Sequence, residues 1–207
     1  MPSKHRALRV ANRPAAPLTA CLCAVCLAGA YLLAGGATHA QTRARADGMV
    51  AASEERVKAV SVCKFLNYVE WPAAAFTGPE TPYVIGVLHA EELAAELASL
   101  AAGRTVNNRA IVVRHLRAGE ALAGIHVLFV GKSERLPLAQ LAMQVPLQPV
   151  LLITESEGAL QSGSMINFRL VDERVRFEVA VDAVEKAGLK LNTRLLAVAI
   201  DVVKAQQ

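Results

Sequence analysis

The chain reads as an α/β protein: one domain on a largely parallel sheet of about six strands, closed by a C-terminal antiparallel hairpin and flanked by about five helices. Three observations carry that reading. Short continuous apolar runs alternate with stretches of helical period, the pattern of parallel strands covered on both faces. Val175, Phe177, Val179 and Val181 recur at every second position and so share one side of a strand, leaving Arg176 and Glu178 on the other. No linker-like composition interrupts the chain between Ser53 and Lys204, so one domain is expected.

Residues 1–40 are a different material. Lys4, Arg6, Arg9 and Arg13 form a basic start, residues 18–34 are apolar, and Thr38-His39-Ala40 places small residues where a signal peptidase reads. The apolar run approaches the length of a spanning helix, but the Thr-x-Ala ending favours cleavage after Ala40. Leu18-Thr19-Ala20-Cys21 mimics a lipoprotein acceptor site, yet the apolar segment follows the cysteine instead of preceding it, so lipidation is not expected. The four leader cations account for the whole formal charge of +4. The remainder of the chain is balanced, which argues against a nucleic-acid or anionic-membrane surface. Cys21, Cys23 and Cys26 also lie in the leader, so Cys63 alone remains and no internal disulfide is possible, although one between two chains is.

Residues 41–52 lack apolar periodicity and read as a flexible arm. A helix starts at Ser53, with Glu54 and Glu55 in its first turn where the dipole favours them, and stops before Pro72. Its expected buried stripe is Val57, Val60, Cys63 or Lys64, Leu66 and Val69. Tyr68, Trp71 and Phe76 bunch at the helix exit, either packing that end on the sheet or walling a pocket. Strands are expected at 83–88, 109–116, 125–130 and 150–153, with helices at 91–102, stopped by Gly103, and at 133–145. The hairpin arms are 165–170 and 175–181, joined through Asp172-Glu173-Arg174. Without a glycine there, a type I turn with a bulge is expected over a two-residue primed turn. Asn192 caps a last helix with the stripe Leu195, Leu196, Val198, Ala199 and Val202.

Few motifs carry chemistry. Gly131-Lys132-Ser133 follows a buried strand, but a phosphate loop needs a glycine five residues before Gly131, where His126 stands. His89, His115 and His126 each stand alone, with no acidic or cysteine partner at ligand spacing, so no metal site is expected. Ser162-Gly163-Ser164 lacks the nucleophile elbow. Cys63 reads as a small core residue. The exposed polar groups Arg176, Glu178, Lys186 and Lys190 form either a solvated rim or a partner-binding face.

Two regions are specific enough to suggest a relative. Val57-Lys58-Ala59 through Lys64-Phe65-Leu66-Asn67-Tyr68-Val69-Glu70-Trp71-Pro72 resembles the opening helix of the YfiR family. His126-Val127-Leu128-Phe129-Val130, Pro149-Val150-Leu151-Leu152-Ile153, Gly163-Ser164-Met165-Ile166-Asn167-Phe168, Phe177-Glu178-Val179 and Ala187-Gly188-Leu189 then agree in order. The resemblance implies a dimeric periplasmic regulator without a cofactor. It would bind the periplasmic sensor domain of an inner-membrane diguanylate cyclase and hold it inactive, and an outer-membrane lipoprotein would sequester it. By position in the family, Gln161, Glu178 and Lys186 fall on the partner-contacting surface, and Glu70, Trp71, Lys190 and Asn192 fall around a small-ligand pocket. Relatives often carry paired cysteines where this chain has Ile125 and the apolar 84–87 run, so redox control through an internal disulfide is not available here.

Two rival functions are suggested by the residues themselves. The aromatic cluster Tyr68, Trp71 and Phe76 suits a periplasmic small-molecule binder feeding a sensor kinase. Glu155, Glu157 or a histidine would have to serve a periplasmic enzyme, which requires those groups to converge.

Overall fold

The computed structural model describes residues 53–132, 141, 143 and 148–203. Helix α1 (residues 53–65) is followed by β1 (Val69–Glu70), a 3₁₀ turn at Ala73–Ala75, β2 (Tyr83–Leu88) and α2 (Glu91–Ala101). Then come β3 (Thr105–Val106), β4 (Arg109–His115), β5 (Val127–Val130), β6 (Leu151–Thr154), β7 (Ile166–Val171) and β8 (Arg174–Ala180). The chain closes with α3 (Val181–Lys186), β9 (Lys190–Leu191), α4 (Thr193–Leu196) and β10 (Asp201–Val203). The main sheet has eight strands in the order β10-β8-β7-β6-β5-β2-β4-β3, and β1 pairs with β9 in a separate ribbon. Parallel pairing runs unbroken from β7 through β6, β5 and β2 to β4, and the β7–β8 hairpin is antiparallel, so the predicted α/β class holds.

Continuous apolar sequence puts β5 and β6 at the centre, where every residue of both strands is buried. The core joins Leu128, Phe129, Leu151 and Ile153 to Leu93 and Leu97 of α2 and to Val62, Phe65 and Leu66 of α1. Each such leucine contributes about 2 kcal/mol by leaving water. Phe65 meets Phe168 and Phe177 at ring-centroid distances of 5.9 and 5.1 Å, which seats α1 on the hairpin. No helix among the described residues is long and apolar enough to cross a membrane.

Five local expectations are corrected. The buried residues of α1 are Lys58, Ala59, Val62 and Phe65, while the expected Val57 is 46% exposed; Leu66 and Val69 are buried as expected but lie beyond the helix end. The helix also ends at residue 65 rather than beside Pro72, because Val69 and Glu70 gain strand partners in Leu191 and Lys190. The hairpin closes on two residues, Asp172 and Glu173, with φ of 48° and 58°, so a primed turn forms without glycine and pairs Val171 directly with Arg174. Asn107 and Asn108, with φ of 50° and 63°, do the same between β3 and β4, adding a strand the apolar pattern missed. Asn192 does cap α4, accepting from the Arg194 amide at 2.9 Å, but the helix stops at Leu196 and Val202 belongs to β10, parallel to β8. The sheet therefore has eight strands, not six. Four α-helices are described, and most of the expected helix at 133–145 lies outside the described residues.

Candidate functional site

Strand order reverses beside β2, with β4 on one side and β5 on the other, and open α/β sheets usually bind ligands at the carboxyl ends of strands flanking such a reversal. Among the described residues the backbone at 88–90 and at 131 packs closely there. The Gly131 amide donates to the Leu88 carbonyl at 2.8 Å, and the Gly131 α-carbon lies so close to the His89 carbonyl that a Cβ would overlap it. Gly131 is therefore explained by backbone packing, in keeping with its reading as a strand end rather than a phosphate loop.

At the opposite ends of these strands the aromatic residues pack on one another. Trp71 and Phe76 meet Tyr83 edge-on, and Phe76 stacks on His126 at 4.6 Å between ring centroids. The Trp71 indole N–H donates to the His126 carbonyl at 3.2 Å. His126 is 2% exposed; its Nδ1 accepts from the Val84 amide at 3.1 Å and its Nε2 lies 3.1 Å from the Ala75 carbonyl. Those partners select the neutral tautomer protonated on Nε2. Burial pushes its pKa down; the Ala75 bond opposes that and the charge of Arg109 adds to it. Arg109 closes the cluster, donating to the carbonyls of Gly78, Pro79 and Thr81 at 2.8 Å each, with its guanidinium 4.0 Å from the Phe76 ring centre.

A second polar centre has only part of its signal in the sequence. Lys58, whose side chain is 4% exposed, contacts Glu54 at 2.7 Å, Glu55 at 2.9 Å and Glu155 at 2.5 Å, which occupies all three of its donors. The three carboxylates have the spacing of a metal site, but the ammonium already supplies the cation among them. Burial works against the Lys58 charge, and the three carboxylates outweigh it, so its pKa rises; burial raises that of Glu55, opposed by Lys58. Glu155 also accepts from the Lys132 amide at 3.2 Å. Glu155 and His126 are thus both committed to structural partners. The legible signal was Glu54 and Glu55 standing four and three residues before Lys58 on one helix; Glu155, 97 residues away, had none.

Of the residues assigned to a ligand pocket, Glu70 and Lys190 are direct cross-strand partners between β1 and β9, and the Asn192 amide donates to the Tyr68 carbonyl at 2.8 Å. The structure thus brings Glu70, Lys190 and Asn192 together, all exposed, with half-buried Trp71 next in sequence. Of the residues assigned to partner contact, Gln161 and Lys186 are exposed, on the turn before β7 and at the end of α3. Glu178 is half-buried on β8. Its Oε1 accepts from Asn167 at 2.8 Å, and through Asn167 it joins a buried network with Thr154 and Ser164.

Cavities among the described residues are lined by other side chains. One of about 990 Å³ lies between the start of α1 and the hairpin, against Ser53, Val57, Leu170 and Val175. One of about 300 Å³ adjoins Lys58, Glu155 and Glu157, and one of about 210 Å³ adjoins Cys63 and Arg104. Cys63 is half-buried and free, and burial raises its thiol pKa while Arg104 opposes the shift, so it is not poised as a thiolate.

The YfiR/HmsC-like family model matches residues 55–200, well over half of the chain. The chain belongs to the YfiR/HmsC-like family. The match runs from the first turn of α1 to the residue before β10, so the Lys58 cluster, the aromatic plug and the hairpin all lie inside it. YfiR/HmsC-like proteins are periplasmic regulators of diguanylate cyclase signalling and are regulatory rather than catalytic. No curated protein matches the chain.

Proposed function

We propose that this chain represses an inner-membrane diguanylate cyclase by binding its periplasmic sensor domain, lowering cyclic-di-GMP and with it biofilm formation. The family match over residues 55–200 carries this reading. It is supported by an interior whose titratable groups, Lys58, Glu155 and His126, are held by structural partners, which suits a protein that works by shape and contact. The leader of residues 1–40 exports the chain, which is cleaved after Ala40, and the folded domain spans residues 53–204. The active form is a homodimer. Gln161, Glu178 and Lys186 belong to the contact surface, and Glu70, Trp71, Lys190 and Asn192 form the place where a small ligand would modulate it. An outer-membrane lipoprotein that sequesters the repressor frees the cyclase.

Deleting the gene tests this. Cyclic-di-GMP should rise in a strain that keeps the membrane cyclase and stay level in one that lacks it. Equal levels in the deletion and parent strains, with the cyclase present, would remove the proposal.

A further inference from the structure

The hairpin has a face whose side chains are largely exposed. Arg169 of β7 stands directly opposite Arg176 of β8, and Val171 stands opposite Arg174. Cross-strand partners share a face, and so do residues two apart on one strand, so Arg169, Val171, Arg174 and Arg176 all point the same way, opposite to Phe168 and Phe177. All three arginines are exposed, and Val171 is 38% exposed beside them. On β10, Val203 stands in register with Ala180 on this same face and is 39% exposed.

Like charges directly opposite one another destabilise a strand pair, so the Arg169/Arg176 pairing works against the hairpin that carries it. Glu178, on the same face of β8, offsets part of it: its Oε1 accepts from Asn167 at 2.8 Å and its Oε2 forms an ion pair with Arg169 at 3.6 Å, which leaves Arg174 and Arg176 as the uncompensated charges. Asp201 on β10 is in register with Glu178, one row further in. Arg174 and Arg176 have no hydrogen bond or ion pair from their side chains among the described residues.

We infer that the outer face of the β7–β8 hairpin, presenting Arg169, Arg174 and Arg176 around Val171, docks an extended acidic segment of a protein partner. This rests on the reading that the chain acts by binding another protein, and adds what that protein must offer. Arg174 and Arg176 are two residues apart on a strand, about 7 Å, which is also the spacing of alternate side chains on any extended segment. Acidic residues at every second position of the partner therefore meet them in register. Each guanidinium fork takes one carboxylate by two parallel bonds, and Val171, directly opposite Arg174, adds apolar surface beside them. Arginine beside exposed apolar surface is the composition of an interface centre. A uniformly anionic surface, such as a lipid headgroup layer, fits less well. Asp172, Glu173, Glu178 and Asp201 interleave with the arginines and repel it, whereas a segment with spaced charges leaves room for them.

The test uses the exported protein purified from the periplasm and a fluorescein-labelled peptide alternating Glu and Thr, with a Gln-Thr peptide as control and phosphatidylglycerol vesicles as a separate arm. Binding of the Glu-Thr peptide should weaken with rising salt and fall at least about tenfold in the charge-reversed R174E/R176E protein, which should keep the circular dichroism and melting temperature of the wild type because both side chains are exposed. The inference is overturned if the peptide does not bind, if it binds R174E/R176E as well as wild type, or if the vesicles bind and the peptide does not. Cyclic-di-GMP in cells separates this from the functional reading. Repression by R174E/R176E at the wild-type level removes the docking face and leaves the function standing. Failure of the wild-type protein to repress removes the function, whatever the peptide does.

Discussion

Arginine behaves differently at the two ends of the sheet. Arg109, at the β4 end, reaches three carbonyls of the loop before β2 and caps the Phe76 ring. Arg174 and Arg176, on the hairpin at the other end, touch no acceptor among the described residues, and Arg176 faces Arg169. The same residue type therefore closes a loop in one place and is left available in the other. Lys58 falls with Arg109, since its charge is consumed inside the molecule by Glu54, Glu55 and Glu155. Under the proposed repression by contact, the groups left without partners are better guides to function than those in the best-ordered polar cluster.

Removing a committed charge should cost stability, and removing an available one should not. The largest loss is expected for Lys58→Met, which leaves three carboxylates crowded at a nearly closed site and should lower unfolding stability by about 3 kcal/mol in urea titration. Arg109→Ala strips the loop of its charged donor and should cost about 2 kcal/mol in the same assay. Glu173→Gly moves the other way. Its backbone sits at φ 58°, a region glycine occupies without strain, so a gain of about 1 kcal/mol is expected. The smallest effect is that of Arg176→Ala, within about 0.5 kcal/mol of wild type. A large loss there would erase the contrast between the two ends.

pH sharpens the same contrast inside the core. Because the folded pKa of His126 lies below the ordinary value of 6.5, the unfolded chain takes up a proton there that the folded chain refuses. Stability should therefore fall as pH drops through 6.5 and level off once folded His126 is also protonated. Glu55 works in the opposite sense at lower pH, since its raised pKa gives a contribution that is full below 4.5 and lost as pH climbs through the folded value. Comparing urea midpoints of wild type and His126→Gln across pH isolates the histidine, and the slope near pH 6 should be missing from the variant.

The sequence disclosed those parts of the fold whose causes are local. Helix α2 and strand β2 appear within a residue of their expected bounds, because apolar period and Gly103 lie inside the segment they define. The hairpin arms were legible from alternation alone. What could not be read depends on distant partners. Val69 and Glu70 become a strand through residues 190 and 191, and Lys58 turns inward because Glu155 waits for it. The primed turn at Asp172-Glu173 was missed for a different reason: the twist of the paired strands favours it strongly enough to hold two non-glycine residues at positive φ. Of the residues that resemblance assigned to a ligand pocket, Glu70 and Lys190 meet through strand pairing that no local signal foretold. The three hairpin arginines stood in plain view, but only the register that sets Arg169 against Arg176 makes them a face.

The most direct test of the proposed function is to reconstitute a membrane diguanylate cyclase in lipid nanodiscs and monitor cyclic-di-GMP synthesis as the purified protein is added on the sensor-domain side. The rate should fall and reach its plateau near equimolar amounts of repressor and sensor domain. A rate that stays unchanged at excess repressor, or that collapses at far below equimolar amounts as an enzyme would cause, would contradict repression by stoichiometric contact.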